Sequence, residues 1–116
     1  MPLVRVETNE HLHGDVQQHL CAELSRAAAA IIGKPETYVM VVVAEGRAIL
    51  HAGRPGPAAF VEVRSIGGLG PEVNRRLSQT ISRIVTGTTR IPGERIYLNF
   101  TDVPADAWGH DGDTFG

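Results

Sequence analysis

The second residue of the chain is a proline, and a proline in that place can become a reactive amine. Initiator methionine is commonly removed before a small residue, and loss of Met1 would leave Pro2 with a free secondary amine. An α-amino group titrates at about 7.7–8.0, and burial or a neighbouring cation lowers that pKa. An amine that is uncharged near neutral pH is a general base. The alternative role for Pro2 is structural, because a proline that opens a strand loses no ladder hydrogen bond.

Two further side chains could complete a site around such a base. Lys34, in the run Gly-Lys-Pro, could bind a carboxylate, or it could simply stabilise the end of a helix through the helix dipole. In a strand–helix–strand unit the helix ends where the first strand began, so we expect Lys34 to approach Pro2. Tyr97 could supply a hydroxyl donor and a pocket wall, or serve as an ordinary sheet aromatic.

Other motifs do not support a phosphate, metal or thiol site. The glycine-rich run 67–70 lacks the spacing of a nucleotide-binding loop and predicts a tight turn before a helix. His11 and His13 have no third ligand at a suitable spacing, so we predict no metal. Cys21 has no partner cysteine and falls on an apolar helix face, where an inert thiol is expected. We predict no cofactor.

Length and composition limit the classes of protein further. The 116 residues, 42% of them hydrophobic, predict one domain over 1–116 without room for a second core. A net charge of −2 and six aromatic residues give no nucleic-acid signal, and no apolar run is long enough for a membrane span. The charged, alternating N-terminus does not read as a signal peptide. The single cysteine fits a reducing compartment, so we expect a cytoplasmic protein.

An internal repeat organises the chain, because residues 2–44 align with residues 59–101 at an offset of 57. Each half predicts a strand, a helix and a strand. Two such units make a fold of the α+β class, with a four-stranded mixed sheet, both helices on one face, and short edge strands. The predicted elements are strands at 3–8, 38–43, 60–65 and 95–101, helices from Val16 (capped by Asp15) and from Pro71, and an extra strand from Ala48 to His51.

The sheet face away from the helices mixes charged and apolar side chains. The repeat aligns Arg5 with Glu62 and Glu7 with Arg64, so the charge at each position is opposite in the two halves. This predicts cross-strand ion pairs if the first strands of the two halves are antiparallel. A solvated face is the alternative. The outer strands add Tyr38, Met40, Val42, Tyr97 and Asn99 to the same face. Uncovered apolar side chains of this kind favour burial against another copy of the chain.

Several short motifs, taken together, resemble one known family over the whole chain. The motifs are Met-Pro-Leu at the start, Gly-Lys-Pro at 33–35, Ser-Ile-Gly at 65–67, Arg-Ile-Tyr-Leu-Asn-Phe at 95–100 and Thr-Phe-Gly at 114–116. By these motifs the chain is similar to the macrophage migration inhibitory factor (MIF) family of the tautomerase superfamily, and more to a bacterial relative than to an animal one.

The resemblance implies a homotrimer of the tautomerase fold with active sites between subunits, and keto–enol tautomerisation of phenylpyruvate-like α-keto acids without a cofactor. Pro2 matches the catalytic proline, and Lys34 matches the lysine that holds the substrate carboxylate. Ile66 matches a position whose backbone helps to bind that group. The adjacent subunit is expected to contribute Tyr97 and Asn99. An apolar pocket for an aryl ring is expected from Leu3, Trp108 and Phe115.

Departures from the family pattern keep other functions open. The cysteines of the animal C-x-x-C motif fall at Ala58 and Val61, so a thiol–disulfide activity is not expected. A lysine of animal members is Gly68 here, and His110 stands where a tryptophan is common. One alternative function is a trimeric, cytokine-like interaction module without turnover. Another is decarboxylation or hydration of an unsaturated acid, which would require additional arginine or glutamate in the pocket.

Overall fold

The computed structural model describes all residues from 1 to 116, and its elements follow the predicted strand–helix–strand order twice. A short hairpin follows the second unit. Neither helix combines the length and the apolar composition of a membrane span. The elements are β1 (Leu3–Thr8), α1 (Gly14–Ile32), β2 (Met40–Ala44), β3 (Ala59–Ser65), α2 (Pro71–Thr88), β4 (Ile96–Asp102), β5 (Gly109–His110) and β6 (Asp113–Thr114).

The four long strands form one mixed sheet in the order β2-β1-β3-β4, which confirms the predicted architecture. Each crossover joins parallel neighbours, β1 with β2 and β3 with β4, while β1 and β3 run antiparallel at the centre. Arg5 lies opposite Glu62 in the middle of that central pair. The two halves are therefore related by a pseudo-twofold axis between β1 and β3.

The core lies between the sheet and the two helices. Both helices present one apolar face, as their spacing of three and four residues predicts. The same faces of β1 and β3 carry valines in alternation, which is why every second residue of these strands is buried. Fully buried members of this core include Val4, Val6, Leu20, Leu24, Ala28, Val61, Val63, Leu77, Ile81, Val85 and Ile91.

The strands predicted at 60–65 and 95–101 differ by one residue from the bounds of β3 and β4, and two other element boundaries are also wrong. Helix α1 begins at Gly14, with His13 as its N-cap, so Asp15 is in the first turn rather than at the cap. Its carboxylate there still complements the helix dipole. The second strand begins at Met40, because Tyr38 donates its backbone N–H to the carbonyl of Pro35 (3.0 Å) in a short 3-10 turn.

The predicted strand from Ala48 to His51 does not form. His51 makes only an isolated bridge to Arg54, and the chain between them turns back through positive φ angles. The Arg95 guanidinium donates to the carbonyls of His51, Arg54, Gly56 and Pro57 at 2.8–3.3 Å. A side chain thus supplies the donors that a neighbouring strand would otherwise provide.

The predicted cross-strand ion pairs are absent from this chain. Arg5 contacts Glu7 at 3.6 Å and Arg64 contacts Glu62 at 3.7 Å, each two residues along its own strand. Neighbours on one face of a strand lie about 7 Å apart along it, so long side chains reach either type of partner. Exposed pairs contribute at most about 1 kcal/mol, and so small a free energy does not select one arrangement strongly.

Candidate active site

A cleft of about 570 Å³ opens around the start of β1. The Pro2 side chain is fully buried in its wall, and the Pro2 carbonyl accepts a hydrogen bond from the backbone N–H of Met40 (3.0 Å). This bond extends the β1–β2 ladder to the N-terminus and fixes the direction of the chain there. Most of the lining residues are apolar. The full lining is Met1, Pro2, Leu3, Thr37, Tyr38, Val39, Met40, Arg64, Val103, Ala107, Trp108, Gly109, His110 and Phe115.

Lys34 lies near this end of the chain, as the crossover geometry predicts. Helix α1 ends at Ile32, and Gly33 follows in the left-handed conformation (φ 79°) that turns the chain back toward β1. Burial first and the charge of Lys34 second lower the pKa of the terminal amine on Met1 below its ordinary value. Both causes disfavour the ammonium form, so a nitrogen in this environment is biased toward the neutral base.

The turn between β3 and α2 closes the same end of the sheet. The Ser65 hydroxyl donates to the carbonyl of Gly67 (2.7 Å), and the Gly67 N–H donates to the Asp102 carboxylate (2.8 Å). Ile66 therefore follows directly on the strand that pairs with β1, although it does not line the cleft. The predicted tight turn before a helix is present, with Gly67 and Gly68 at positive φ.

Gly68 brings this turn against the end of α1. A Cβ atom on Gly68 would lie 2.7 Å from Ile32 Cγ2 and 3.1 Å from the Ile32 carbonyl, and 3.5 Å from Cε of Lys34. The φ of +81° also disfavours any side chain. The absence of a side chain at this position thus lets the Ser-Ile-Gly turn approach Lys34 closely.

We expect Gly68→Ala to lower the free energy of unfolding by about 1–3 kcal/mol through backbone strain and overlap with Ile32. Chemical denaturation measures this loss. Gly87→Ala is the matched control, because Gly87 lies within α2 with open space around its Cα and should gain stability from alanine's helix propensity. An unchanged or increased stability of Gly68→Ala would contradict the close approach.

The C-terminal residues build the opposite wall of the cleft. The Phe115 N–H donates to the carbonyl of Trp108 (3.1 Å), which holds the two aromatic positions together across the β5–β6 hairpin. The ring of His110 stacks on Phe115 with centroids 5.6 Å apart and planes 15° from parallel. With Leu3, the predicted apolar residues Trp108 and Phe115 thus share one cleft with Pro2.

Arg64 is a cleft residue that sequence analysis placed only on the charged sheet face. It pairs with Leu3 across the antiparallel strands, so its side chain emerges beside that of Leu3. Sequence alone did not reveal this place, because the repeat aligns Arg64 with Glu7, whereas the antiparallel register of the folded strands sets Arg64 opposite Leu3. Lys34, in contrast, approaches the amine without lining the cleft.

Tyr97 and Asn99 are not brought to Pro2 within this chain. Strand β4 runs parallel to β3, so Asp102 is at the Pro2 end and Tyr97 at the far end, opposite Phe60. Five residues of strand separate these ends by about 16 Å. Tyr97 is 66% exposed there and contacts the His51 ring edge-to-face at 4.9 Å.

His11, His13 and Cys21 lie outside the cleft lining. No group of three or more His, Cys, Asp or Glu side chains is arranged to hold a metal ion. Burial raises the pKa of the Cys21 thiol, which disfavours the reactive thiolate. His11 lies 4.0 Å from the Glu45 carboxylate, at the surface.

Comparison with known proteins gives the same family along the whole chain. The family model described as macrophage migration inhibitory factor matches residues 1–116. A homolog from Trichuris trichiura is 35% identical over 115 residues, covering 99% of this chain and 100% of the relative. A crystal structure of the homologue from Prochlorococcus marinus has a TM-score of 0.93 at 36% identity and covers 98% of this chain and 99% of that one.

A further solved structure bears on chemistry as well as fold. The crystal structure of Pt0534 inactivated by 2-oxo-3-pentynoate has a TM-score of 0.85 at 28% sequence identity. The match covers 97% of this chain and 94% of that one. The inactivator is, by its name, an α-keto acid.

Proposed function

Because this chain belongs to the macrophage migration inhibitory factor family, we propose that it is a cofactor-independent keto–enol tautomerase acting on phenylpyruvate-like α-keto acids. The observation that carries the proposal is the environment of the chain start. Pro2 is buried at an apolar cleft, and burial together with Lys34 lowers the pKa of the terminal amine beside it. Inactivation of the structural neighbour by an α-keto acid supports the substrate class.

The reaction requires Met1 to be removed, since the nitrogen of Pro2 is otherwise an amide. The freed nitrogen takes the hydroxyl proton of the enol, and the O–H electron pair becomes the second bond of the carbonyl. The electron pair of the enol double bond accepts a proton on the neighbouring carbon from the ammonium just formed. Protons and electrons balance, so an isomerisation of this kind needs no oxidant or further reactant.

The other predicted residues bind the substrate in this proposal. The Lys34 ammonium holds the carboxylate next to the keto group, assisted by the backbone around Ile66. The aryl ring enters the apolar part of the cleft formed by Leu3, Trp108 and Phe115. A substrate held in this position presents its reacting carbon to the nitrogen of Pro2, and orientation contributes a large part of such rate gains.

The deciding experiment follows the ultraviolet absorbance of phenylenolpyruvate as it converts to the keto acid. The protein that begins at Pro2 should accelerate the conversion well above the buffer rate. A protein whose processed N-terminus is verified by mass spectrometry, and which gives only the buffer rate, would contradict the proposal. That result would favour the interaction module as the function.

We also propose that the protein is a homotrimer in which Tyr97 and Asn99 of one subunit complete the site of the next. The sheet face away from the helices leaves Met40 63% exposed and Tyr97 66% exposed, which is unfavourable for apolar side chains in water. A neighbouring subunit would cover this face. Its β4 would also carry the two polar residues to a cleft that one protomer does not complete.

Subunit mixing tests the shared site. We expect Pro2→Gly and Tyr97→Ala proteins each to lose activity, and their refolded mixture to recover it in about a quarter of the sites, where an intact Pro2 meets an intact Tyr97. Sedimentation should give three times the chain mass of 12.5 kDa. A mixture no more active than the separate variants, or a monomer at micromolar concentration, would contradict the shared site.

A further inference from the structure

The cleft lining holds a cationic side chain and no acidic one. No aspartate or glutamate lines it, whereas Arg64 and His110 do. Lys34 lies near enough for its charge to act on the terminal amine. The α-keto carboxylate of the proposed substrate needs one cation, and Lys34 provides it. Arg64 is therefore a second cation in a cleft whose proposed substrate gives it no partner.

Within a single copy of the chain, Arg64 keeps most of its hydrogen-bonding capacity free. Its side chain is 50% exposed, and its protein contact is with Glu62 at 3.7 Å, which is too long for a hydrogen bond. A guanidinium carries five N–H donors in a planar fork that matches a carboxylate. Glu62 does not itself line the cleft, whereas Arg64 does.

The position of Arg64 separates it from the cation next to the base. Lys34 follows the end of α1, on the helix side of the sheet, whereas Arg64 shares the opposite face with Leu3. Leu3 belongs to the apolar part of the cleft, where the far end of a substrate would lie. His110, on the hairpin wall, adds a ring that can donate a hydrogen bond at the same cleft.

We propose that the preferred substrates carry a second carboxylate at the end away from the keto acid, and that Arg64 binds it. The inference rests on the proposed tautomerase function and names the substrate class for that site: α-keto acids with a distal carboxylate on an aryl or apolar linker. An uncharged ring can stack on the guanidinium, but it offers no acceptor for the N–H donors. A carboxylate replaces that water with a bidentate, charge-assisted contact.

Two substrates that differ by one carboxylate test the proposal. Phenylenolpyruvate and its 4-carboxy derivative share the keto acid, the ring and the reacting carbon. We expect native protein to favour the carboxylated enol in kcat/KM by about tenfold or more, the usual worth of a charge-assisted hydrogen bond. High salt should reduce this preference by screening a half-exposed pair.

Variants of Arg64 test whether this residue causes the preference for the carboxylated enol. Arg64→Gln should remove about tenfold from the ratio of the two kcat/KM values, and Arg64→Lys should retain part of it, since lysine keeps the charge but loses the fork. Glu62→Gln should raise the ratio by releasing Arg64. Arg83→Gln is the control for charge, because Arg83 is exposed in the second half of α2, on the helix side of the sheet.

The outcomes separate this inference from the function on which it rests. Turnover of both enols with a ratio that Arg64 variants and salt leave unchanged would overturn the inference and leave the tautomerase standing. An equal loss on both substrates in Arg64→Gln would also overturn it, since Arg64 would then bind the group they share. Absence of turnover with either enol would overturn the proposed function and the inference together.

Discussion

Blocking the nitrogen of Pro2 is expected to lower kcat/KM for phenylenolpyruvate by about 10²–10⁴-fold, the usual contribution of a positioned general base. An N-terminal extension that stays attached converts this nitrogen into an amide, which cannot accept a proton. Pro2→Gly keeps an amine but loses the ring that the cleft wall buries, so its nitrogen is less well positioned. We expect a large loss in this variant as well.

The control for the extension is the same molecule after its removal. An extension that ends in a protease site directly before Pro2 should give an inactive protein, and cleavage should restore the rate in step with the new N-terminus seen by mass spectrometry. Circular dichroism before and after cleavage should be superimposable. Equal rates with blocked and free nitrogen would show that Pro2 is not the base.

The pH dependence of the same reaction has a definite sign. The amine is active when neutral, so kcat/KM should rise with pH as the ammonium loses its proton and then level off. Burial and Lys34 both lower the pKa of the terminal amine on Met1. We expect the same two causes to act on the freed nitrogen of Pro2, so the plateau should begin at a lower pH than an ordinary α-amino group would allow. A rise only at or above the ordinary pKa would contradict a desolvated base.

The general architecture could be predicted because burial follows the sequence period directly. Alternation of valines in β1 and β3 determines which face packs on the helices, and the repeat predicts two equivalent strand–helix–strand units, although it left open that β1 and β3 pair antiparallel. The approach of Lys34 to the start of the chain could be predicted because the helix of a strand–helix–strand crossover ends near the start of its first strand. Each of these depends on one rule that applies along a continuous segment.

The errors occur where contacts between distant segments decide the structure. The strand predicted at 48–51 is absent because Arg95, more than forty residues away, binds the carbonyls of that loop. Tyr38 leaves the sheet face because a proline carbonyl starts a turn before β2. Arg64 was assigned to the sheet face by its parity, which was right, but its place at the edge of the cleft depends on which strand end the C-terminal hairpin covers.

Replacement of Lys34 should mainly weaken substrate capture, and it should also change the base. Lys34→Gln removes the ammonium that binds the keto-acid carboxylate, and loss of a charge-assisted hydrogen bond is expected to raise KM by about 10- to 100-fold. It also removes a cation that lowers the pKa of the amine, so the pKa should rise and the pH profile of kcat/KM should move to higher pH.

A variant that keeps the charge of Lys34 separates the effect on the pKa from the effect on KM. Lys34→Arg keeps the positive charge and should hold the pH profile near that of the native protein, even if its different shape raises KM. Arg83→Gln removes a charge of the same sign from a distant helix and should move neither quantity. A Lys34→Gln protein with native KM and a native pH profile would remove Lys34 from the site. A raised KM with an unchanged pH profile would show that Lys34 binds the substrate carboxylate without lowering the pKa of the amine. Burial alone would then be the cause of any lowered pKa.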